Sequence, residues 1–442
     1  MCKKRKPTFF AFELDSTVND NLPHKLNFQN KFLEEQKVLI VKKFGGSSVA
    51  NAERIRHVAD TIVKSYKEGN QVVVVLSAQG DTTDELIEKA NEINPRASKR
   101  EMDMLLATGE QQSVALMAMA IQALGYPVIS LNAFQCKITS NSNHSNARIK
   151  DIATERITNE LENKNIVIIT GFQGINRHLD ITTLGRGGSD TSAVALAAKL
   201  HADICEIYTD VDGVYTADPR VVKTARKLPE ITYDEMLEMA SLGAQVLHNR
   251  SVELAKKYNV NLVVRSSMTD AEGTVVKEET KVEKMLVNGV AVDKDVARIS
   301  LVGVKNEPGV AFKLFSILSK EKISVDIIIQ SIGRDDRKDI SFTTTREDLE
   351  RTIKALEDNK ERLGFNDISF NDHVAKVSII GAGMATNSGV AAMLFEATYD
   401  AGINVNMIST SEIKISLLVD EKDVDRAAVA IHDKFINDDL KL

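Results

Sequence analysis

Cysteine is scarce: Cys2, Cys136 and Cys205 are the three in 442 residues, far apart and in no metal-ligand spacing. That excludes a zinc site or a disulfide framework and points to a reducing cytoplasm. Long hydrophobic runs are missing as well, since the apolar run from Val72 to Leu76 has the length of a strand. No membrane-spanning segment is expected, because a spanning helix needs about 18 apolar residues or more. Positive charge is not in excess: 56 Lys and Arg against 63 Asp and Glu give a net charge of −7, which argues against nucleic acid as a partner. The basic Lys3 to Lys6 is followed by apolar Phe9 to Phe12 and then Glu13 and Asp15, too short a stretch for a signal-peptide core. Nothing matches G-x-x-x-x-G-K-[ST], so a P-loop does not explain any phosphate binding here.

What is present is ordinary globular composition, 43% hydrophobic and 27% charged, in a chain long enough for about three domains. Residues 1–37 are polar and irregular and are expected to be an N-terminal extension that can stay disordered. From Val38 a strand ends in Phe44-Gly45-Gly46-Ser47-Ser48 and is followed by a helical pattern from Ala52 to Tyr66. Apolar strands at Val72 to Ser77, Val128 to Leu131, Ile166 to Thr170 and Cys205 to Thr209 alternate with helices at Met102 to Ala123 and Thr191 to Leu200. Such alternation predicts an α/β fold, a mainly parallel sheet covered on both faces. The charged stretch from Lys277 to Lys284 closes this region, so a first domain is expected over 38–284. Beyond it Ala297-Arg298-Ile299-Ser300 is answered by Ala375-Lys376-Val377-Ser378, and Asp339-Ile340-Ser341-Phe342 by Lys414-Ile415-Ser416-Leu417. Each copy reads strand, helix, strand, strand, helix. The second copy lacks a fourth strand unless Leu286 to Val292 supplies it, which nests one module (297–371) inside the other (285–296 and 372–442).

Three segments carry chemistry. Gly45-Gly46 sits where a strand gives way to a helix, so backbone amides and a helix dipole can face an anion beside Lys43; read alone, it is equally a tight turn. Gly185-Arg186-Gly187-Gly188-Ser189-Asp190-Thr191-Ser192 repeats that logic, with Ser189, Asp190 or Thr191 as a plain N-cap in the bland reading. Arg186 favours a site, because a guanidinium in a glycine-rich loop suits bidentate recognition of a carboxylate. Thr209-Asp210-Val211-Asp212-Gly213-Val214-Tyr215-Thr216-Ala217-Asp218-Pro219-Arg220 follows a strand end, where open α/β sheets bind ligands, and otherwise reads as a solvated acidic loop. Glu110, after Thr108-Gly109, could pair an ammonium or only favour a helix N-terminus.

Together Lys43 to Ser48, Thr82-Thr83-Asp84, Gly109-Glu110, Gly185 to Ser192 and Thr209 to Arg220 resemble, in order, the aspartate kinases of the amino-acid-kinase family. The C-terminal repeat resembles paired ACT domains, so the resemblance runs from about Val38 to Leu442 and is to the monofunctional members, without a homoserine dehydrogenase half. It implies a three-layer αβα kinase domain and two ferredoxin-like βαββαβ modules. It also implies transfer of the ATP γ-phosphoryl to the β-carboxylate of L-aspartate, on the way to lysine, threonine and methionine, with Mg2+ as second cofactor.

By position in these motifs, Lys43, Gly45, Gly46 and Asp190 would be catalytic. Ser77, Thr83, Glu110, Arg186 and Ser189 would bind aspartate, Arg186 at its α-carboxylate and Glu110 at its ammonium. Lys43, Phe44, Gly45, Gly46, Thr209, Asp210, Tyr215, Asp218, Arg220 and Gln245 would hold ATP. No protein metal site is expected, magnesium being carried mostly by the nucleotide's oxygens. Two departures affect local contacts: Gln245 stands where many relatives have Lys, and Asp81 where a Lys often precedes Thr-Thr-Asp. Asn306, Glu307, Gly309, Val310, Val325 and Asp326, with Asn404 and Asn406 in the second copy, match the ACT turn and strand that bind amino acids. Lysine, threonine or both are the expected effectors, and a homodimer or homotetramer through the ACT modules the expected assembly. The reading from another class is a non-catalytic amino-acid sensor; acetylglutamate, glutamate 5- and uridylate kinases share the fold.

Overall fold

The computed structural model describes residues 38–242, 246–279, 286–331, 333 and 336–437. The N-terminal extension, Gln245 and most of the charged 277–284 stretch lie outside the described residues. In the first half, β1 (Leu39–Phe44), β2 (Gln71–Leu76), β3 (Val128–Leu131), β4 (Ile166–Thr170), β5 (Ile204–Thr209), β6 (Glu230–Thr232), β7 (Leu262–Ser266) and β8 (Thr274–Lys277) form one sheet. Its order is β6-β8-β7-β5-β1-β2-β4-β3, and every neighbouring pair is parallel except β7 and β8. The central strands are apolar at consecutive positions because both faces are covered.

The helices that position the site or cover this sheet include α1 (Ala52–Lys67), α2 (Thr82–Ile93), α3 (Lys99–Ala123), α4 (Gly188–Leu200), α5 (Tyr233–Ser241) and α6 (Asn249–Tyr258). On one face Ile55, Val58 and Ile62 of α1 and Val114, Met117 and Ile121 of α3 pack on Phe44, Val72 and Val74. On the other, the small residues Ala193 to Ala197 of α4 lie against Val41, Val73 and Ile169. Helix α1 starts where Asn51 accepts a hydrogen bond from Arg54 N–H at 3.0 Å. The Gly-rich helix begins at Gly188, earlier than the sequence pattern suggested, because Gly187 takes a left-handed conformation at its N-cap (φ 65°). Ser189, Asp190 and Thr191 therefore lie inside the first turn, and none of them is the cap. A four-stranded sheet of three- and four-residue strands, including Gln173–Ile175 and Ile181–Thr183, was not visible in the sequence pattern. Such strands are too short for alternation to register.

The second half is an antiparallel six-stranded sheet of β9 (Gly289–Lys305), β10 (Ile328–Gln330), β11 (Arg337–Thr344), β12 (Asp367–Ile380), β13 (Met407–Thr410) and β14 (Lys414–Asp420), ordered β10-β11-β9-β12-β14-β13. The two long strands pair twice: Gly289–Asp293 runs against Ile380–Lys376, and Arg298–Val302 against Asn371–Asp367, with a register shift between. Each therefore gives one half to each repeat. The internal symmetry reaches individual side chains, because Ser300 and Ser341 Oγ lie 2.8 Å apart and so do their repeat equivalents Ser378 and Ser416. Helices α7 (Val310–Lys320) and α8 (Leu349–Glu357) cover the first repeat, and α9 (Val390–Asp400) and α10 (Val424–His432) the second. Among the described residues no helix is long and apolar enough to cross a membrane.

Candidate active site

Alternation along β1 sends its two lysines to opposite faces. Lys42 forms a buried ion pair with Glu206, whereas Lys43 Nζ lies 2.6 Å from Asp190 Oδ1 in the first turn of α4. Both partners of the second pair are nearly buried, 12% exposed each. The turn after β1 holds Lys43 close: a Cβ on Gly45 would lie 3.5 Å from its Nζ. Gly46 is demanded by packing, since a Cβ there would come within 2.7 Å of the Ala78 carbonyl oxygen. Next to it the Ser48 hydroxyl is buried with no hydrogen-bond partner.

The segment after β2 joins this turn to α3. Ser77 N–H donates to the Phe44 carbonyl at 3.2 Å, and Ala78 N–H donates to Glu110 Oε1 at 3.2 Å. Glu110 is 3% exposed and its Oε2 has no partner. Burial pushes its carboxyl up to about 7. An unpaired carboxylate oxygen at this depth has the character of a receptor for a cation. Ser189 closes the far side: its Oγ would lie 2.6 Å from a Cβ on Gly171, just past β4. The ends of β1, β2 and β4 thus bring Lys43, Gly45, Gly46, Ser77, Glu110, Ser189 and Asp190 together. Thr83 is half-buried in the first turn of α2, next to Thr82, whose methyl packs 3.6 Å from a Cβ placed on Gly109.

Arg186 stands apart on the exposed crest between Gly185 (φ 82°) and Gly187, with no ion pair among the described residues. Its loop, however, is held firmly. Arg250 donates to the carbonyls of Leu184 at 2.9 Å and Ala147 at 2.6 Å, and the His248 ring fills the space a Gly187 side chain would need. Fully buried Asp103 accepts from Ser145 N–H, Thr183 N–H and Thr183 Oγ–H, the last at 2.6 Å, and its Oδ2 lies 2.8 Å from His144 Nδ1. Asp103 and Arg250 were missed in the sequence. For Asp103 a signal existed: it lies seven residues before Glu110 on the apolar stripe of α3, where a carboxylate needs a reason.

Thr209 ends β5, whose residues pair with β1 up to Phe44 and Tyr208, so the third segment opens beside the Lys43 turn. Thr209 donates to Asp210 at 3.0 Å, Tyr215 donates to Asp212 at 2.8 Å, and Arg220 forks onto Asp218 at 2.7 to 3.1 Å. Arg220 is 89% exposed, outside the buried cluster around Lys43. In the second half, Gly309 (φ 88°) starts α7 with Val310 buried, and Asn306 N–H bonds the Asp336 carbonyl at 2.7 Å; Glu307 is exposed. Val325 is half-buried against the module core. Asp326 is not a free carboxylate: it is ion-paired with buried Lys376, which also reaches Asp293 at 3.2 Å. Asn404 is exposed, and Asn406 donates to Asp420 at 3.0 Å.

A glycine turn beside Lys43, a buried carboxylate oxygen without a partner on Glu110 and an exposed arginine in a second glycine-rich loop are groups that suit a zwitterionic acid and a phosphoryl donor. Comparison with known proteins agrees. The Amino acid kinase family profile matches residues 38–266, and the ACT domain profile matches 299–359 and 377–435. An aspartokinase of Bacillus sp. (strain MGA3) is 50% identical over 398 residues, 90% of this chain and 97% of that one. E. coli aspartokinase III in complex with aspartate and ADP superposes with a TM-score of 0.76 at 25% identity, covering 90% of this chain and 99% of that one. Its complex with lysine and aspartate gives a TM-score of 0.73 at the same identity and coverage. The chain belongs to the aspartokinase family, ATP-dependent kinases with an amino-acid-kinase domain followed by ACT domains.

Proposed function

We propose that this kinase binds L-aspartate between Glu110 and Arg186 and transfers to its β-carboxylate the γ-phosphoryl of Mg-ATP, giving 4-phospho-L-aspartate. A β-carboxylate oxygen attacks the γ-phosphorus, the bond to the bridging oxygen breaks, and ADP leaves. No general base is required, since a carboxylate of pKa about 3.9 is already ionised at neutral pH. The work is positioning two anions and neutralising their charge. Lys43, oriented by Asp190, and the Gly45-Gly46 turn face the transferring group. Ser77, Thr83 and Ser189 hold the substrate chain. Phe44, Thr209, Asp210, Tyr215, Asp218, Arg220 and Gln245 serve the nucleotide. Magnesium would supply neutralisation of the phosphates, held mainly by their oxygens, with Asp218 as an auxiliary carboxylate.

The observation that carries this reading is the buried, unpartnered Glu110 Oε2, in the same chain as the Lys43–Asp190 pair at the ends of the neighbouring strands β1 and β2. The E. coli relative that holds aspartate with ADP supports it. The test is Lys43→Ala in protein that keeps its circular dichroism and melting profile. Removing this one preorganised cation is expected to lower kcat by about 10²–10³-fold. A variant retaining most of its turnover would remove Lys43 from phosphoryl transfer.

Regulation belongs to the same proposal. Lysine, threonine or both bind the turn at Asn306 to Val310 and the strand start at Val325 and Asp326, with Asn404 and Asn406 as the second-copy equivalents. The lysine complex of the E. coli relative supports an amino-acid effector. Modules 297–371 and 285–296 with 372–442 then pair across a homodimer or homotetramer; the outer strands β10 and β13 are the sheet's two edges, with Ile328 and Ile408 exposed on them. The cytoplasm is the proposed compartment, in keeping with the unpaired buried thiols of Cys136 and Cys205.

A further inference from the structure

The segment that carries Tyr215, Asp218 and Arg220 does not fold on the kinase sheet alone. It has almost no regular structure of its own beyond one bridge between Tyr215 and Lys227. Ala217 and Val222 are instead buried in the core of the second ACT repeat, with Val290, Ile379, Ile431 and Phe435. The Thr216 carbonyl accepts from Val290 N–H at 2.7 Å, a backbone bond to the first residues of β9.

At the centre of this contact is a histidine. His432, the last residue of α10, is completely buried, and its Nε2 lies 2.8 Å from Thr216 Oγ1. Its Nδ1 lies 3.4 Å from Thr224 Oγ1, which donates to Asp433 at 3.1 Å. Thr216 Oγ1 accepts in turn from Arg226 N–H at 2.9 Å. With the proton on Nδ1 every hydrogen in the chain has an acceptor: Arg226 N–H to Thr216, Thr216 O–H to Nε2, Nδ1–H to Thr224, and Thr224 O–H to Asp433. That tautomer follows from closing the network. Burial depresses the imidazole pKa, in keeping with a neutral ring. One side chain from the regulatory half thus ties both arms of the 215–226 loop, at Thr216 and Thr224. Phosphoryl transfer itself makes no use of it.

We propose that His432 is a positioning residue for the nucleotide: through Thr216 and Thr224 it fixes the loop that presents Tyr215, Asp218 and Arg220. The shape of the ATP side then depends on where the last helix of the second ACT module sits. This rests on the proposed role of that loop in holding ATP. A second link between the halves, Glu238 with Lys414 at 2.8 Å, touches a different helix and serves as a control.

The experiment compares His432→Phe, His432→Gln, Thr216→Val, Arg220→Ala and Glu238→Gln in the full chain. Leaving a buried hydroxyl unpaired is expected to raise the KM for ATP about tenfold in His432→Phe and in Thr216→Val, with kcat and the KM for aspartate within about twofold. Gln, whose amide oxygen can accept from Thr216, is expected to restore most of the affinity, and Glu238→Gln to change neither constant. In the nucleotide-free protein, hydrogen exchange of amides 215–226 is expected to speed up about tenfold in His432→Phe while the β1 and β2 amides stay protected. Unchanged ATP KM and unchanged exchange in both His432→Phe and Thr216→Val would overturn the proposal. If Arg220→Ala raises the ATP KM in the same series, the loop assignment stands and only the role of His432 falls. If Arg220→Ala leaves it unchanged, the assignment fails and takes the proposal with it.

Discussion

Glu110→Gln is expected to make the protein more stable and a worse enzyme, by amounts that depend on pH in a defined way. The folded protein holds this carboxyl near 7 against an ordinary value of 4.5, with burial as the main cause. A group whose pKa is raised by folding contributes stability that is complete below its unfolded value and is lost as pH rises through the folded one. Each tenfold change in an ionisation constant is worth about 1.4 kcal/mol. Burying Glu110 in the ligand-free protein therefore costs about 1 kcal/mol at pH 5.5 and about 3 kcal/mol at pH 8.5, relative to a carboxyl that stays protonated in both states. Gln keeps the acceptor for Ala78 N–H and carries no charge, so the variant escapes this cost. The substrate ammonium loses its partner at the same time, and the aspartate KM should rise about 10- to 100-fold. In the parent, protons compete with aspartate for Glu110, so its aspartate KM should climb as pH falls below about 7, a dependence that the variant lacks. Thermal midpoints of the ligand-free proteins at pH 5.5 and 8.5, with aspartate saturation curves from pH 6 to 8, are the assays. A variant no more stabilised at pH 8.5 than at pH 5.5, or a parent whose KM is flat across that range, would refute the reasoning.

Arg186→Ala is expected to raise the aspartate KM about 10- to 100-fold by deleting a charge-assisted fork, measured in steady state with ATP saturating. Gly46→Ala places a methyl 2.7 Å from the Ala78 carbonyl, and about 1–3 kcal/mol of overpacking should appear as a lower melting temperature together with a damaged kcat. Arg250→Met frees the Leu184 and Ala147 carbonyls and should weaken aspartate binding more than ATP binding, seen as a KM split. Asp326→Ala should blunt inhibition by lysine or threonine while leaving turnover without effector within twofold; inhibition as strong as in the parent would misplace the effector pocket.

The features legible in the sequence were those where one residue type does one local job. The parallel sheet showed because strands such as Gln71–Leu76 and Ile166–Thr170 are apolar throughout, and the ACT repeat because its copies keep matching residues such as Ser300 and Ser378. Lys43 and the double glycine were visible because a strand ends in them. What stayed hidden is what tertiary packing supplies. Asp103, Arg250 and His432 act on backbone or hydroxyl groups at least 40 residues away in sequence, and no local pattern records such a partner. The start of α4 was misplaced by three residues because a left-handed glycine packed under His248 replaced the side-chain cap that Ser189 to Thr191 suggested.

The most direct test of the central claim is to trap the product. An acyl phosphate reacts with hydroxylamine, so the purified protein with Mg-ATP, hydroxylamine and L-aspartate should release ADP and form aspartyl β-hydroxamate in equal amounts. Glutamate, acetylglutamate and UMP should give neither above background. ADP release with one of those acceptors and none with aspartate would contradict the substrate assignment, and no turnover with any of them would favour an amino-acid sensor built on a kinase fold.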